Sequence, residues 1–191
     1  RWIAEFYIWL FRGTPVLIQL IIIYTGLPQL GIRLSVIESA IIGLALNEGA
    51  YLAEVIRSGI MSVDKGQTDA SRAVGMTWRQ RMWMVILPQA TRTIIPPLGN
   101  QFNGMLKTTS LASVISMEEL MRNAQMLAQI EFRVLEAYTV AAVWYLVLVS
   151  IWGLIQVRIE AHYEKPFGPA AAVSPDAKKD IEKILRNSGQ A

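Results

Sequence analysis

Charge is missing from two long stretches of this chain, and that limits what it can fold into more than any other feature. Between Arg12 and Arg33 lie 20 residues without a charge, and between Glu136 and Arg158 lie 21. A helix rises 1.5 Å per residue, so about 20 predominantly apolar residues cross a bilayer. Two such windows in 191 residues predict an all-α, polytopic integral membrane protein. Composition agrees. Only 17% of the residues are charged and 53% are hydrophobic, against about 25% charged in soluble domains. That balance argues against disorder and against an open polar enzyme surface. The absence of cysteine excludes disulfide scaffolds, thiolate metal sites and Cys nucleophiles. A single histidine, His162, builds neither a metal site nor a triad, so no catalytic and no metal-ligating residues are expected. A net charge of +3 is too diffuse for a nucleic-acid partner.

Four spans follow from the pattern, over about 13–32, 34–56, 93–117 and 137–157. In the first, Pro15 sits near the start, where a missing N–H is tolerated. Leu17, Ile18, Leu20 and Ile21 to Ile23 read as apolar all round, suited to lipid, until Pro28 and Gly31 break the helix. The second span carries Glu38 and Glu54 near its ends and Glu48 deeper. The chain opens in an apolar stretch from Trp2 to Phe11 without an initiating Met, so a further span upstream is expected.

Residues 57–92 differ in kind, with six basic side chains against two acidic ones. A short basic loop reads as cytoplasmic. Within it, Thr68 to Val74 forms a short helix stopped by Gly75. Thr77 caps a second helix from Trp78 toward Leu87, interrupted by Pro88. Counted from this loop, Glu118 to Glu136 is an outer amphipathic helix, and the tail 158–191 is cytoplasmic with a short helix near Asp176 to Arg186.

The third span is unusually polar. Thr93 to Met117 begins with Pro96 and Pro97 and carries Asn100, Gln101, Asn103, Lys107, Thr108, Thr109 and Ser110. Such groups must be satisfied by neighbouring helices or a water-filled cavity. Together with Asn47, Glu48 and Tyr51 of the second span, Asn100, Asn103, Lys107, Thr108 and Ser110 are the candidates for a substrate path. Glu48 either meets a substrate ammonium group or pairs within a helix interface. Lys107 either attracts a carboxylate or, like the other polar groups, supports helix packing.

The basic loop reads Asp69-Ala70-Ser71, three residues, Gly75, nine residues, Val85, one residue, Leu87-Pro88. This resembles the EAA loop of permease subunits of ATP-binding-cassette (ABC) importers, with Asp for Glu, Ser for Ala and Val for Ile. Phe11-Arg12-Gly13-Thr14-Pro15, Ala50-Tyr51-Leu52-Ala53-Glu54 and Leu106-Lys107-Thr108-Thr109-Ser110-Leu111 resemble segments of the polar amino acid branch. The resemblance implies the ABC type-1 transmembrane domain and alternating-access uptake of polar amino acids. It makes Asp69, Ala70, Ser71, Gly75, Val85, Leu87 and Pro88 the loop that couples to an ATPase. It further implies an ATPase dimer, a second permease subunit, an extracytoplasmic substrate-binding protein and a bacterial inner membrane with its lipid as partners. The chain has no GxxxxGK[ST] run, so no cofactor is expected on it, and ATP with Mg belongs to the partner ATPase. The competing readings are another small polar solute or an amino-acid derivative as cargo, or a fragment of a secondary transporter without an ATPase.

Overall fold

The computed structural model describes residues 2–163, which are helical with short connections and no strand. The expected tail helix near Asp176 lies outside the described residues. Helix α1 (Trp2–Gly13) stops at Thr14–Pro15. The chain then turns by 104° into a second helical segment, Val16–Leu30. That segment begins as α2 (Val16–Ile21), widens into a π turn (Ile22–Gly26) and tightens into a 3₁₀ turn (Leu27–Leu30). Gly31 ends it with φ +84°. The expected span from Gly13 therefore starts later and is shorter. Pro15 has no N–H to continue α1 and disfavours helical backbone at Thr14. The segment is not apolar toward lipid all round either. Leu20 is fully buried and Ile23 and Gln19 nearly so, while Ile18, Ile21, Ile22 and Leu30 stay open.

Helix α3 (Val36–Met61) is longer than the expected second span. Its start is set by a capping box, in which Ser35 Oγ accepts from Glu38 N at 3.2 Å and Ser35 N donates to Glu38 Oε2 at 2.7 Å. Three short steps follow: α4 (Lys65–Ala73), α5 (Trp78–Arg81) and a π turn (Met82–Ile86). They lead straight into α6 (Leu87–Thr108). The expectation that Pro88 interrupts the helix is thus corrected. Leu87 N bonds Met82 O across the wide turn, and Pro88 occupies the first turn of α6, where its missing N–H costs little. Pro96 and Pro97 lie inside α6 without ending it.

After α6 a 3₁₀ segment (Thr109–Ile115) closes on Ser116 at φ +65°. Helix α7 (Leu120–Glu131) is capped by Glu119, whose carboxylate accepts from Met121 N at 2.8 Å and Arg122 N at 2.7 Å. The expected outer helix is therefore shorter and ends at Phe132 in the left-handed region. Helix α8 (Val134–Tyr163) extends past both ends of the expected last span and takes His162 into its final turn. By length and apolarity α3 and α8 each suffice to cross a bilayer, and α1 with Val16–Leu30 does so only as a bent pair.

The bundle is drawn together around α3 and α6. Leu20, Ala40, Leu44, Ala112 and Ile115 form a buried cluster between the second segment, α3 and the 3₁₀ segment. Glycines sit where helices cross closely. A Cβ on Gly43 would lie 2.7 Å from Leu20 Cδ2, one on Gly59 2.2 Å from Ile94 Cγ1, and one on Gly99 2.5 Å from Gln156 Cδ. Without aqueous pressure between helices, small residues that let backbones approach are how membrane helices associate.

Candidate functional site

The loop between α3 and α6 is a compact, shaped projection. Asp64 caps α4 by accepting from Gly66 N at 2.7 Å. At the other end Gly75 N donates to Arg72 O at 2.9 Å and Met76 N to Ser71 O at 3.1 Å. These two bonds and Gly75 at φ +78° make a Schellman cap. Asp69 and Ala70 are exposed, as are Val74 and Trp78 beyond the cap. Asp69 lies 3.8 Å from Arg72 one turn on. Ser71 instead faces inward, its hydroxyl donating to Thr68 O at 2.8 Å. Val85 is half-buried and Leu87 and Pro88 open α6. Gln89 joins the two ends of the loop, donating to Val85 O at 3.0 Å and to Gln67 Oε1 at 3.2 Å.

The candidate path residues fall into separate groups. Glu48 of α3 accepts a hydrogen bond from Gln101 of α6 at 3.2 Å. Asn47, next to it, turns the other way and donates to Phe11 O at 2.9 Å and Gln19 Oε1 at 3.2 Å. Gln19 in turn donates to Phe11 O, Thr14 O and Thr14 Oγ1 at 3.0, 3.1 and 2.8 Å. The break before Pro15 exposes carbonyls that α1 no longer uses, and in an apolar setting each must find a donor. Asn47 and Gln19 supply them, which is a structural role. Tyr51 also faces the break. The Arg12 guanidinium lies 5.4 Å over its ring and 3.8 Å from Glu54, which holds Arg57 as well.

At the end of α6 and the start of the 3₁₀ segment, Thr108 Oγ1 and Ser110 Oγ donate to carbonyls of their own chain, Gly104 O at 3.1 Å and Lys107 O at 2.6 Å, where the helix tightens. Asn100, Asn103 and Lys107 share another face. Asn100 and Lys107 are exposed, Asn100 within 3.3 Å of Gln156, and a Cβ on Gly104 between them would meet nothing. Asn103 Oδ1 is buried and accepts no hydrogen bond. The other two sides of α6 are taken. Ile94 and Gln101 meet α3, and Gly99 and Phe102 meet Trp152 of α8, whose indole donates to Gly99 O at 2.9 Å. Among the described residues, a helix covered on two sides thus keeps Asn100 and Lys107 of its third, polar side open, with Asn103 Oδ1 buried between them.

Gln19, Gln101 and Gln89 were not singled out as site residues. Gln19 had a signal, as the one amide in the apolar run from Val16 to Ile23. The pairing of Gln89 with Gln67 had none, because 22 residues and two turns separate them.

Comparison with known proteins assigns the arrangement. Residues 1–165 match the model of the family described as binding-protein-dependent transport system inner membrane component. The probable amino-acid ABC transporter permease protein PatM of Vibrio harveyi is 44% identical over 168 residues, covering 86% of this chain and 75% of PatM. The L-cystine transport system permease protein TcyB of Bacillus subtilis (strain 168) is 42% identical, covering 86% and 71%. A crystal structure of an amino acid ABC transporter with histidines is 40% identical and superposes with a TM-score of 0.79 over 84% of this chain and 75% of that one. The MetNI methionine ABC transporter, at 19% identity and a TM-score of 0.71 over 83% and 73%, shares the fold. The chain belongs to the family of binding-protein-dependent transport system inner membrane components: it is a membrane-integral ABC permease subunit and not an enzyme.

Proposed function

We propose that this permease subunit takes a polar amino acid into the cytoplasm by alternating access. It lies in the bacterial inner membrane with its C-terminus in the cytoplasm. A second permease subunit completes the pathway, a separate ATPase dimer holds ATP and Mg, and an extracytoplasmic binding protein delivers the substrate. The α4 loop, from Asp69 to Pro88, is the docking element for the ATPase.

One observation carries this reading, the uncovered polar side of α6. Asn100, Asn103 and Lys107 in a membrane segment do not belong against lipid. A water-filled path, shared with the second subunit, satisfies the exposed Asn100 and Lys107. A zwitterionic amino acid offers a carboxylate for Lys107 and an ammonium group for Glu48, which Gln101 already orients from α6 at 3.2 Å. The names of the relatives support an amino acid as cargo, and their differing substrates fit a path in which a few side chains choose it.

Uptake into vesicles carrying the whole transporter tests the path. Glu48→Gln and Lys107→Gln are each expected to raise the KM for uptake about tenfold, the equivalent of ~1.4 kcal/mol, with the assembly still purifying intact. Unchanged KM and maximal rate in both variants would place the path elsewhere.

A further inference from the structure

Helix α1 buries none of its residues completely, yet it is firmly held. Tyr7 donates to Leu46 O at 2.6 Å, and Phe11 O and Arg12 are gripped by Asn47 and Glu54. Stepping round it at 100° per residue gives three sectors. Tyr7, Ile8 and Phe11 are half-buried on the side of α3. Glu5 and Arg12 share a polar sector. The remaining sector holds Trp2, Phe6 and Trp9, exposed by 85%, 60% and 69%, with Ile3 and Leu10 beside them.

The 104° bend fixes how this aromatic sector lies. If Val16–Leu30 runs along the membrane normal, α1 is within about 15° of the membrane plane. The length of that segment agrees. Its 15 residues rise about 23 Å, less than the ~30 Å hydrocarbon core. A helix sunk about 5–10 Å into the headgroup–acyl boundary makes up the difference. The inside of the elbow is an apolar notch of about 230 Å³, lined by Leu10, Phe11, Ile18, Ile22 and Leu46 among others. Ile18 and Ile22, which line it, are also exposed on the spanning segment, with Ile21 beside them.

We infer that α1 is an in-plane membrane anchor whose Trp2, Phe6 and Trp9 lie at the headgroup–acyl boundary, and that a phospholipid acyl chain fills the elbow notch. Tryptophan is enriched at that depth because its ring is apolar and its N–H seeks water. Lipid is the occupant because the notch is apolar and shares Ile18 and Ile22 with the exposed side of the next segment. The inference rests on the chain's being a membrane permease, and the test below separates the two.

The 191 residues hold no cysteine, so each introduced one is unique among them. Ile3→Cys, Phe6→Cys and Leu10→Cys in α1, with Ile18→Cys and Ile22→Cys as rulers, are spin-labelled in the complete transporter. The vesicles contain phosphatidylethanolamine and phosphatidylglycerol. Collision with oxygen against a water-soluble nickel chelate reads the depth of each label. The three α1 labels are expected to agree within about 3 Å, while the rulers differ by about 6 Å. A steady change of about 10 Å from Ile3 to Leu10 would make α1 a continuation of a span and overturn the inference. So would labels reached by nickel alone, which places the helix in water. Shielding from both reagents overturns it too, because protein then covers the face. Uptake measured in the same vesicles reports on the permease reading independently.

Discussion

Single residues decide how close the helices come. Gly59 is the clearest case, since the space for its Cβ is already filled by Ile94. Gly59→Ala is expected to cost about 1–3 kcal/mol through forced separation of α3 and α6, read as a lower thermal midpoint in detergent. Gly104→Ala, on the same pair of helices but facing open space, should leave the midpoint unchanged. Equal effects would mean that helix propensity rather than contact matters. Neither role was legible in the sequence, where both are glycines in polar or apolar helix. What distinguishes them is the helix lying opposite, and no local pattern carries that. The Arg12–Glu54 pair was hidden for the same reason. Both residues stood in recognisable segments, but only the 104° elbow brings them within 3.8 Å.

Elements show a consistent use of the Leu-Pro dipeptide. Leu27-Pro28 and Leu87-Pro88 each follow a π turn, with Leu27 N bonded to Ile22 O and Leu87 N to Met82 O. The wide turn gives the proline ring room against the preceding carbonyls, so the chain passes through the proline instead of stopping. Apolar periodicity revealed that helices exist here, while the sequence rules for proline predicted a break. The π turn reconciles the two and has no signature of its own. The end of α4 was readable, because a glycine after a short polar helix is what a left-handed cap requires. Gly75→Val puts a β-branched residue at φ +78°, where an L-residue costs about 1–2 kcal/mol. It is expected to cut substrate-stimulated ATP hydrolysis at least tenfold. Gly75→Asn, which tolerates positive φ, should keep most of it. Hydrolysis at the normal rate in the valine variant would show that the cap does not shape the docking face.

At the scale of the molecule, the loop and the open side of α6 meet in one helix. Gln89 ties the foot of α6 to Gln67 in α4, and the same helix carries Asn100, Asn103 and Lys107 upward. Under the proposed docking role of α4, this bond is where a push on α4 would reach α6. Gln89→Leu keeps the size but removes both hydrogen bonds. It is expected to lower coupled hydrolysis several-fold while the ATPase still co-purifies. Loss of co-purification instead would make Gln89 a docking residue. The all-helical membrane class followed from the charge-free runs alone. The open polar side did not, because a sequence shows which residues are polar and leaves unsaid which side of a helix its neighbours cover.

The three close crossings at Gly43, Gly59 and Gly99 also divide the chain by its tolerance of change. The outer surface of α8, where Leu146, Leu154 and Val157 are about two-thirds exposed among the described residues, can drift among apolar residues while its hydrophobicity is kept. Gly59 admits no such exchange, since a methyl group there collides with the body of the buried Ile94, whereas at Gly43 and Gly99 it meets the side-chain ends of Leu20 and Gln156, which can shift. Random mutagenesis under selection for transport should therefore leave a sequence that looks variable along most of its apolar length and invariant at Gly59, with Gly43 and Gly99 admitting at most an alanine.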